Sequence, residues 1–390
     1  MKRHLLITCL VAMATNVLGQ NALNYNVVTT AVPMLLVSPD SRAGAMGDVG
    51  AATTPDGNSS WWNPAKLAFL ENNDAALALS YTPWMSRLVP DIDFACANYS
   101  KALGKKNRQG ISASLRYFSL GEINFTDDRG NGLGTFNPYE FYLDVAYGLK
   151  LSNHWSAGTA IRWIYSDLTQ GIAVQGLQTK PGQSGAADLG LYYQSDFKRN
   201  KQGRSQAFTA GFTMSNLGAK LSYSESGNSD FLPTNLRIGG GYHLKMDDYN
   251  QISVYMDINR LLVPTPPQLG TDGEIEAGVD TDDMTPLIGV AQSFNPSAKP
   301  GGFEELLQEN IYNFGLEYKY NDFLFARGGY LQEHQTKGGR QYVTLGFGLE
   351  YNVFNIDMAY LIPASPTTRS PLENTLRFSM AFNIDGFLAQ

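Results

Sequence analysis

The sequence predicts an all-β fold: a transmembrane antiparallel β-barrel of about fourteen strands, with an N-terminal plug or hatch entering from the periplasmic side. Three observations lead there. An export leader opens the chain, segments of about ten residues alternate apolar with polar side chains, and the gaps between those segments alternate short with long.

Lys2, Arg3 and His4 make a short basic start, residues 5–17 are largely apolar, and Val17, Leu18 and Gly19 stand where a signal peptidase reads small or slender residues. Residues 1–19 are therefore expected to be a signal peptide, with Gln20 the mature start. The apolar run is too short to span a bilayer. Cys9 lies too early to mark a lipoprotein, and follows Thr8 rather than Gly, Ala or Ser.

Composition narrows the class without choosing the fold. A formal net charge of −7 lacks the basic face that nucleic acid would need, so no nucleic-acid partner is expected. Cys96 is the only cysteine beyond the leader, which leaves no intrachain disulfide framework and no cysteine metal cluster. No segment beyond the leader approaches the roughly eighteen apolar residues of a membrane helix. An exported chain of this kind is either a soluble β protein or a membrane barrel.

Alternation separates the two. Tyr312, Phe314, Leu316, Tyr318 and Tyr320 interleave with Asn313, Gly315, Glu317 and Lys319. Val343, Leu345, Phe347 and Leu349 interleave with Thr344, Gly346, Gly348 and Glu350, and the same beat runs from Leu376 to Ile384. One face of each strand is apolar, as lipid requires; the other is full of Gly, Ser and Asn, as suits a wet lumen. Strands are expected at 74–83, 92–103, 109–120, 138–150, 154–168, 185–195, 206–218, 232–245, 249–261, 310–320, 322–333, 340–351, 353–362 and 373–384.

The connections supply an independent argument. Tight gaps fall at 104–108, 151–153 and 246–248 and around Asn321 and Asn352, with 196–205 a longer exception. Long gaps fall at 121–137, 169–184, 219–231, 262–309 and 363–372. Short periplasmic turns alternating with long external loops are the pattern of outer-membrane barrels, and an even strand number puts both chain ends in the periplasm. Residues 74–390 are thus expected to be the barrel.

Two segments fall outside the wall pattern. Residues 20–73 are rich in Ala, Gly and turn formers, and hold Gly44, Gly47, Trp61, Trp62, Asn63 and Pro64. Asn63 is placed to cap a short helix with Pro64 at its first position, where a missing N–H costs nothing. The tryptophans favour packing over disorder, so the segment reads as a plug folded into the lumen. The second is the external loop 262–309, stiffened by Pro264, Pro266 and Pro267, with one or two helical turns expected at 303–310. Its acids Asp272, Glu274, Glu276, Asp280, Asp282 and Asp283 show no calcium-ligand spacing, and residues 127–132 place Arg129 where such a loop needs an oxygen. Neither metal nor cofactor is expected.

A catalytic site is not visible either. His154, His243 and His334 are scattered, with no nucleophile-elbow or metal spacing near them. His243 is expected to face the lumen near the periplasmic rim. Asp144, Arg162, Arg237, Asp257, Glu317, Lys319, Glu350, Asp357 and Arg377 are expected to point inward with mixed signs, which suits cross-strand and plug-to-wall pairing more than a selective pore.

The run 41–50 (Ser-Arg-Ala-Gly-Ala-Met-Gly-Asp-Val-Gly), followed by Asn63, Pro64, Ala65, Lys66, Leu67 and Ala68, resembles the hatch of the FadL-like outer-membrane proteins. Over its full length the chain is similar to the PorV family of the type IX secretion system. That resemblance implies a shuttle in the outer membrane among lipopolysaccharide. Such a barrel takes the C-terminal β-domain of secreted cargo from a large translocon barrel (Sov/SprA-like). It delivers that cargo to a cell-surface attachment complex with a sortase-like PorU subunit. Cargo contacts would then fall on the external rim, at Phe125, Phe136, Leu177, Tyr223, Phe231, Leu269, Ile275, Phe294 and Phe303. Two other readings stay open: a FadL-like transporter of hydrophobic molecules, and a lipid A deacylase.

Overall fold

The structure is a computed structural model; it describes residues 25–70, 75–84, 91–104, 108–126, 129–130, 132–171, 178–224, 229–364 and 375–384. The expected leader lies outside them. Fourteen strands make the wall: β1 (Ala75–Pro83), β2 (Ile92–Leu103), β3 (Gln109–Leu120), β4 (Tyr139–Lys150), β5 (Trp155–Asp167), β6 (Gly182–Gln194) and β7 (Ser205–Gly218). The second half comprises β8 (Asn235–Lys245), β9 (Asn250–Leu261), β10 (Asn310–Tyr320), β11 (Leu324–Gln332), β12 (Gln341–Tyr351), β13 (Phe354–Pro363) and β14 (Leu376–Asn383). Each pairs antiparallel with its sequence neighbours, and β14 pairs with β1, Phe378 opposite Tyr81, so no sheet edge is left open.

The alternation becomes an inside-out burial pattern. On β5, Ile161 is 67% exposed on the outer face, whereas Arg162 and Ile164 on the inner face are buried. A water-soluble sheet would bury the isoleucine and expose the arginine; this order suits a wall solvated by lipid. Among the described residues no helix is long and apolar enough to cross a membrane.

Strand ends differ from the sequence pattern by up to three residues, for local reasons. β8 starts at Asn235 because Pro233 has no N–H to give the ladder. β11 starts at Leu324 because Asn321 and Asp322 both have positive φ in the preceding turn. Residues 121–137 contain a hairpin, Ile123–Thr126 paired with Gly132–Phe136, that alternation did not single out. The long loop carries two short helices, Pro286–Ser293 and Gly302–Gln308, the second close to where it is expected.

Part of the expected wet lumen is packed with chain. Residues 38–70 fill it from its middle to the short-turn rim, and the inward polar side chains are buried against them. The inward glycines mark the track. A Cβ at Gly110 would overlap the carbonyl of Leu67, at Gly158 the backbone of Ala65, at Gly211 the carbonyl of Ala51, and at Gly329 the backbone of Met46 and Gly47. The wall lacks side chains where the hatch backbone lies against it.

The N-terminal segment takes a path that alternation does not predict. β1 begins and β14 ends at the short-turn rim, as an even strand number requires. Residues 25–37, however, run on through the lumen to the long-loop rim, where the Asn26 amide donates to the carbonyl of Thr336 at 3.2 Å. The first and last described residues therefore lie at opposite rims.

Candidate functional site

The hatch is built from capped turns. Asp40 caps the turn Ser41–Gly44 by accepting from the Ala43 amide at 2.7 Å, and its other oxygen accepts the indole N–H of Trp62 at 2.7 Å. Burial, with the charge of Asp56 nearby, pushes the Asp40 carboxyl up to about 6. Asn63 caps the 3-10 helix Pro64–Phe69, accepting from the Ala65 amide. Its amide group also donates to the carbonyls of Ala51 at 3.1 Å and of Leu191 on β6 at 2.9 Å. One side chain thus ties the helix, the hatch and the wall.

Four wall carboxylates hold the hatch or a wall arginine. Glu317 on β10 takes both Nε and Nη2 of Arg42, and also Arg327 on β11. Asp257 on β9 accepts from the amides of Gly50 at 2.7 Å and Ala51 at 3.0 Å. Asp144 and Asp188 share Arg162, which also reaches Asn216 at a bulge in β7. Lys66 is wholly buried, donating to the Thr53 hydroxyl at 2.8 Å and to the carbonyl of Gly50. Burial brings its ammonium down to about 8, with Asp56 opposing the fall.

The other plug residues have equally specific places. Trp61 and Trp62 meet edge to face at 4.4 Å; Arg116 lies over the first ring and Arg237 over the second. A Cβ at Gly44 would meet Arg377, and Gly47, at φ 69, lies against the backbone of Phe314 and Tyr330. Only glycine suits both the turn and that approach.

Above the hatch lies a chamber of about 470 Å³, lined by Val27, Met34, Leu36, Trp84, Phe118 and Leu331 among others. The charges at its edge are spoken for: Arg340 with Glu333, Arg377 with Asp48, Lys337 with Glu305. A smaller cavity of about 50 Å³ adjoins it beside Trp61 and Trp62.

At the long-loop rim the nine expected contact residues divide. Leu177 and the side chain of Phe125 lie outside the described residues. Phe136 is buried, and Tyr223 packs onto the core while sharing a hydrogen bond with Ser166 at 2.9 Å, so both are loop core rather than surface. Phe231 is half-buried under Lys220. Leu269, Ile275, Phe294 and Phe303 are exposed. Leu287, Ile288 and Leu307, on the two loop helices, are exposed as well and join them. Alternation could not have found these; helical spacing within 286–308 could have.

The histidines do not converge. His154 sits at a short turn and His334 at the long-loop rim, while His243 is buried between Thr209 and Ser253, at 3.1 and 3.0 Å. Among the described residues no group of three or more His, Cys, Asp or Glu is arranged to hold a metal.

A family model for the type IX secretion system protein PorV matches residues 20–268, spanning the hatch and the first nine strands. The chain belongs to that family. Its members are described as secretion-system proteins, which accords with a plugged barrel in the outer membrane. Solved structures of similar shape include the P. putida toluene transporter TodX, at 11% identity, covering 88% of this chain and 98% of that one with a TM-score of 0.49. A Pseudomonas aeruginosa FadL homologue is similar at 10% identity, covering 92% and 99% with a TM-score of 0.44. The Ralstonia pickettii toluene transporter TbuX stands at 13% identity, covering 88% and 96% with a TM-score of 0.41. These likenesses are too remote to bear on function, and the fourteen-strand closure rests on the strand pairing itself. No curated protein matches the chain.

Proposed function

We propose that this protein is a docking shuttle of the type IX secretion system, with its long loops outside the cell and its short turns in the periplasm. It binds the C-terminal β-domain of secreted cargo at the translocon and hands it to the sortase-bearing attachment complex. Beside the family membership, one observation supports the reading: Leu287 (70% exposed), Ile288, Phe303 (63% exposed) and Leu307 crowd the two helices of one rim loop. Large apolar side chains bared on polar, water-facing loops favour a protein partner, because leaving them bare is costly. The edge of a cargo β-domain with an apolar face is a fitting partner.

Purified barrel mixed with the tagged cargo domain tests this. A stable complex is expected, weakened at least about tenfold by Phe303→Asp or Leu287→Asp with barrel stability unchanged. Failure to form any complex sinks the shuttle reading.

A second reading, transport of hydrophobic molecules, is favoured by the chamber: it is mainly apolar, and its charges are already paired, so a neutral apolar guest suits it better than an ion. Binding of a small aromatic hydrocarbon to purified barrel, abolished by Met34→Asp, is the outcome that would favour it. Nothing in the arrangement of the histidines favours the lipid A deacylase reading.

A further inference from the structure

The chain threads its own barrel, and the far end of the thread is fastened. Asn26 meets three pieces of the long-loop rim at once. Its amide nitrogen donates to Thr336, and its side-chain amide donates to the carbonyl of Pro266 at 3.3 Å and to Glu305 at 3.0 Å. Lys337 closes the ring by donating to the carbonyl of Asn26 at 2.9 Å while pairing with Glu305 and, at 3.5 Å, with Glu309. Glu309 is itself held by Lys299 at 2.6 Å and Arg260 at 2.9 Å. These charged side chains are largely buried, so each depends on the others for its partners.

Between this lock and the hatch the segment lies under strain. Val32 is wholly buried at φ 50, ψ 60, a left-handed conformation that β-branched residues avoid. Ala31, Met34 and Leu35 around it pack on Phe94, Phe118 and Ile164 of the wall. Val27, Met34 and Leu36 also line the chamber. A strained segment kept in place by contacts at both ends is suited to release.

We propose that residues 25–37 are a strap that reaches the same face as the long loop and locks it to the hatch, so that a partner engaging that loop alters the chamber beneath. The strap extends the docking reading but does not need its orientation. The experiment uses the full chain in intact cells, with single cysteines in a Cys96→Ala background and a membrane-impermeant maleimide. Tyr25→Cys, 66% exposed at the strap's end, is compared with Phe303→Cys on the long loop and Tyr249→Cys on a short turn. Labelling of Tyr25→Cys together with Phe303→Cys supports the strap, whichever rim faces out. Labelling together with Tyr249→Cys overturns it. A labelled Tyr249→Cys beside an unlabelled Phe303→Cys would instead overturn only the orientation.

The lock has its own readout in purified barrel. Met34→Cys, buried in the chamber wall, is expected to react with a small thiol reagent at least about tenfold faster when combined with Lys337→Met, and at the original rate with Lys337→Arg. Migration of the unboiled barrel on a gel reports folding. Should Lys337→Met not fold, Asn26→Ala opens the strap while leaving the carboxylate pairs in place. An unchanged Met34→Cys rate in a folded lock variant overturns the coupling.

Discussion

The carboxylate of Glu317 on the wall receives two hydrogen bonds from the guanidinium of Arg42 in the hatch, each at 3.1 Å. The two residues are 275 positions apart in sequence, and both side chains are largely buried. Arg42 also pairs with Asp56 at 2.8 Å, so the clamp reaches from the wall into the middle of the hatch.

Removing Arg42 strips Asp56 of its paired guanidinium and leaves Glu317 with Arg327 as its remaining partner, and breaking a buried pair of this kind costs about 3–5 kcal/mol. Arg42→Met should lower barrel stability in detergent by that order, read from thermal loss of the fast-migrating form. Arg42→Lys should recover only part of it, because an ammonium cannot reproduce the forked contact. Equal stability of Arg42→Met and the parent would remove the clamp from the account.

The glycine track makes a steric prediction. Gly211→Val would drive a side chain into the carbonyl of Ala51, and rigid backbone cannot yield as a side-chain tip can. Protease sensitivity of the hatch should rise sharply while the strands persist. Gly240→Ala, on the outer face of β8 with nothing nearer than 4.0 Å, should leave it unchanged.

Trp62→Phe keeps most of the ring volume but deletes the donor to Asp40. The carboxylate retains the Ala43 amide and loses one buried hydrogen bond, which costs about 1–3 kcal/mol. The loss should be visible as a lower hatch melting temperature. A variant as stable as the parent would show that the indole N–H contributes nothing to stability.

Acid should loosen the strap. Burial works against ionisation of Glu305, but the hydrogen bonds from Lys337 and from the Gly301 amide outweigh it and hold the carboxyl below its ordinary 4.5. A carboxyl depressed in the folded state contributes stability above its unfolded value and loses it as pH falls through the folded one. The lock is therefore full above pH 4.5 and weakens below it. Hydrogen exchange of residues 25–37 should quicken in that lower range, and Glu305→Gln should flatten the response.

Much of the wall could be read directly. A period of two is a local property, so Val343 to Leu349 and their interleaved partners reveal a strand and its two faces without any distant contact. The cap at Asn63 with Pro64 behind it is local too, and the helix forms there. What alternation left open was the identity of the inner solvent. A polar, glycine-rich face suits water and a packed backbone equally well, and only the approach of Leu67, Ala65 and Ala51 tells them apart.

By itself, then, the sequence determined the strand number, the register of inside and outside, the alternation of loop lengths and the presence of a hatch. All of these follow from neighbours in the chain. The tertiary structure alone decided that Phe136 and Tyr223 are loop core while Leu287 and Leu307 are surface, that Glu317 belongs to Arg42, and that the strap crosses to the opposite rim. Each depends on how segments distant in the chain pack against the closed wall or its rim, and no local pattern encodes which of them meet.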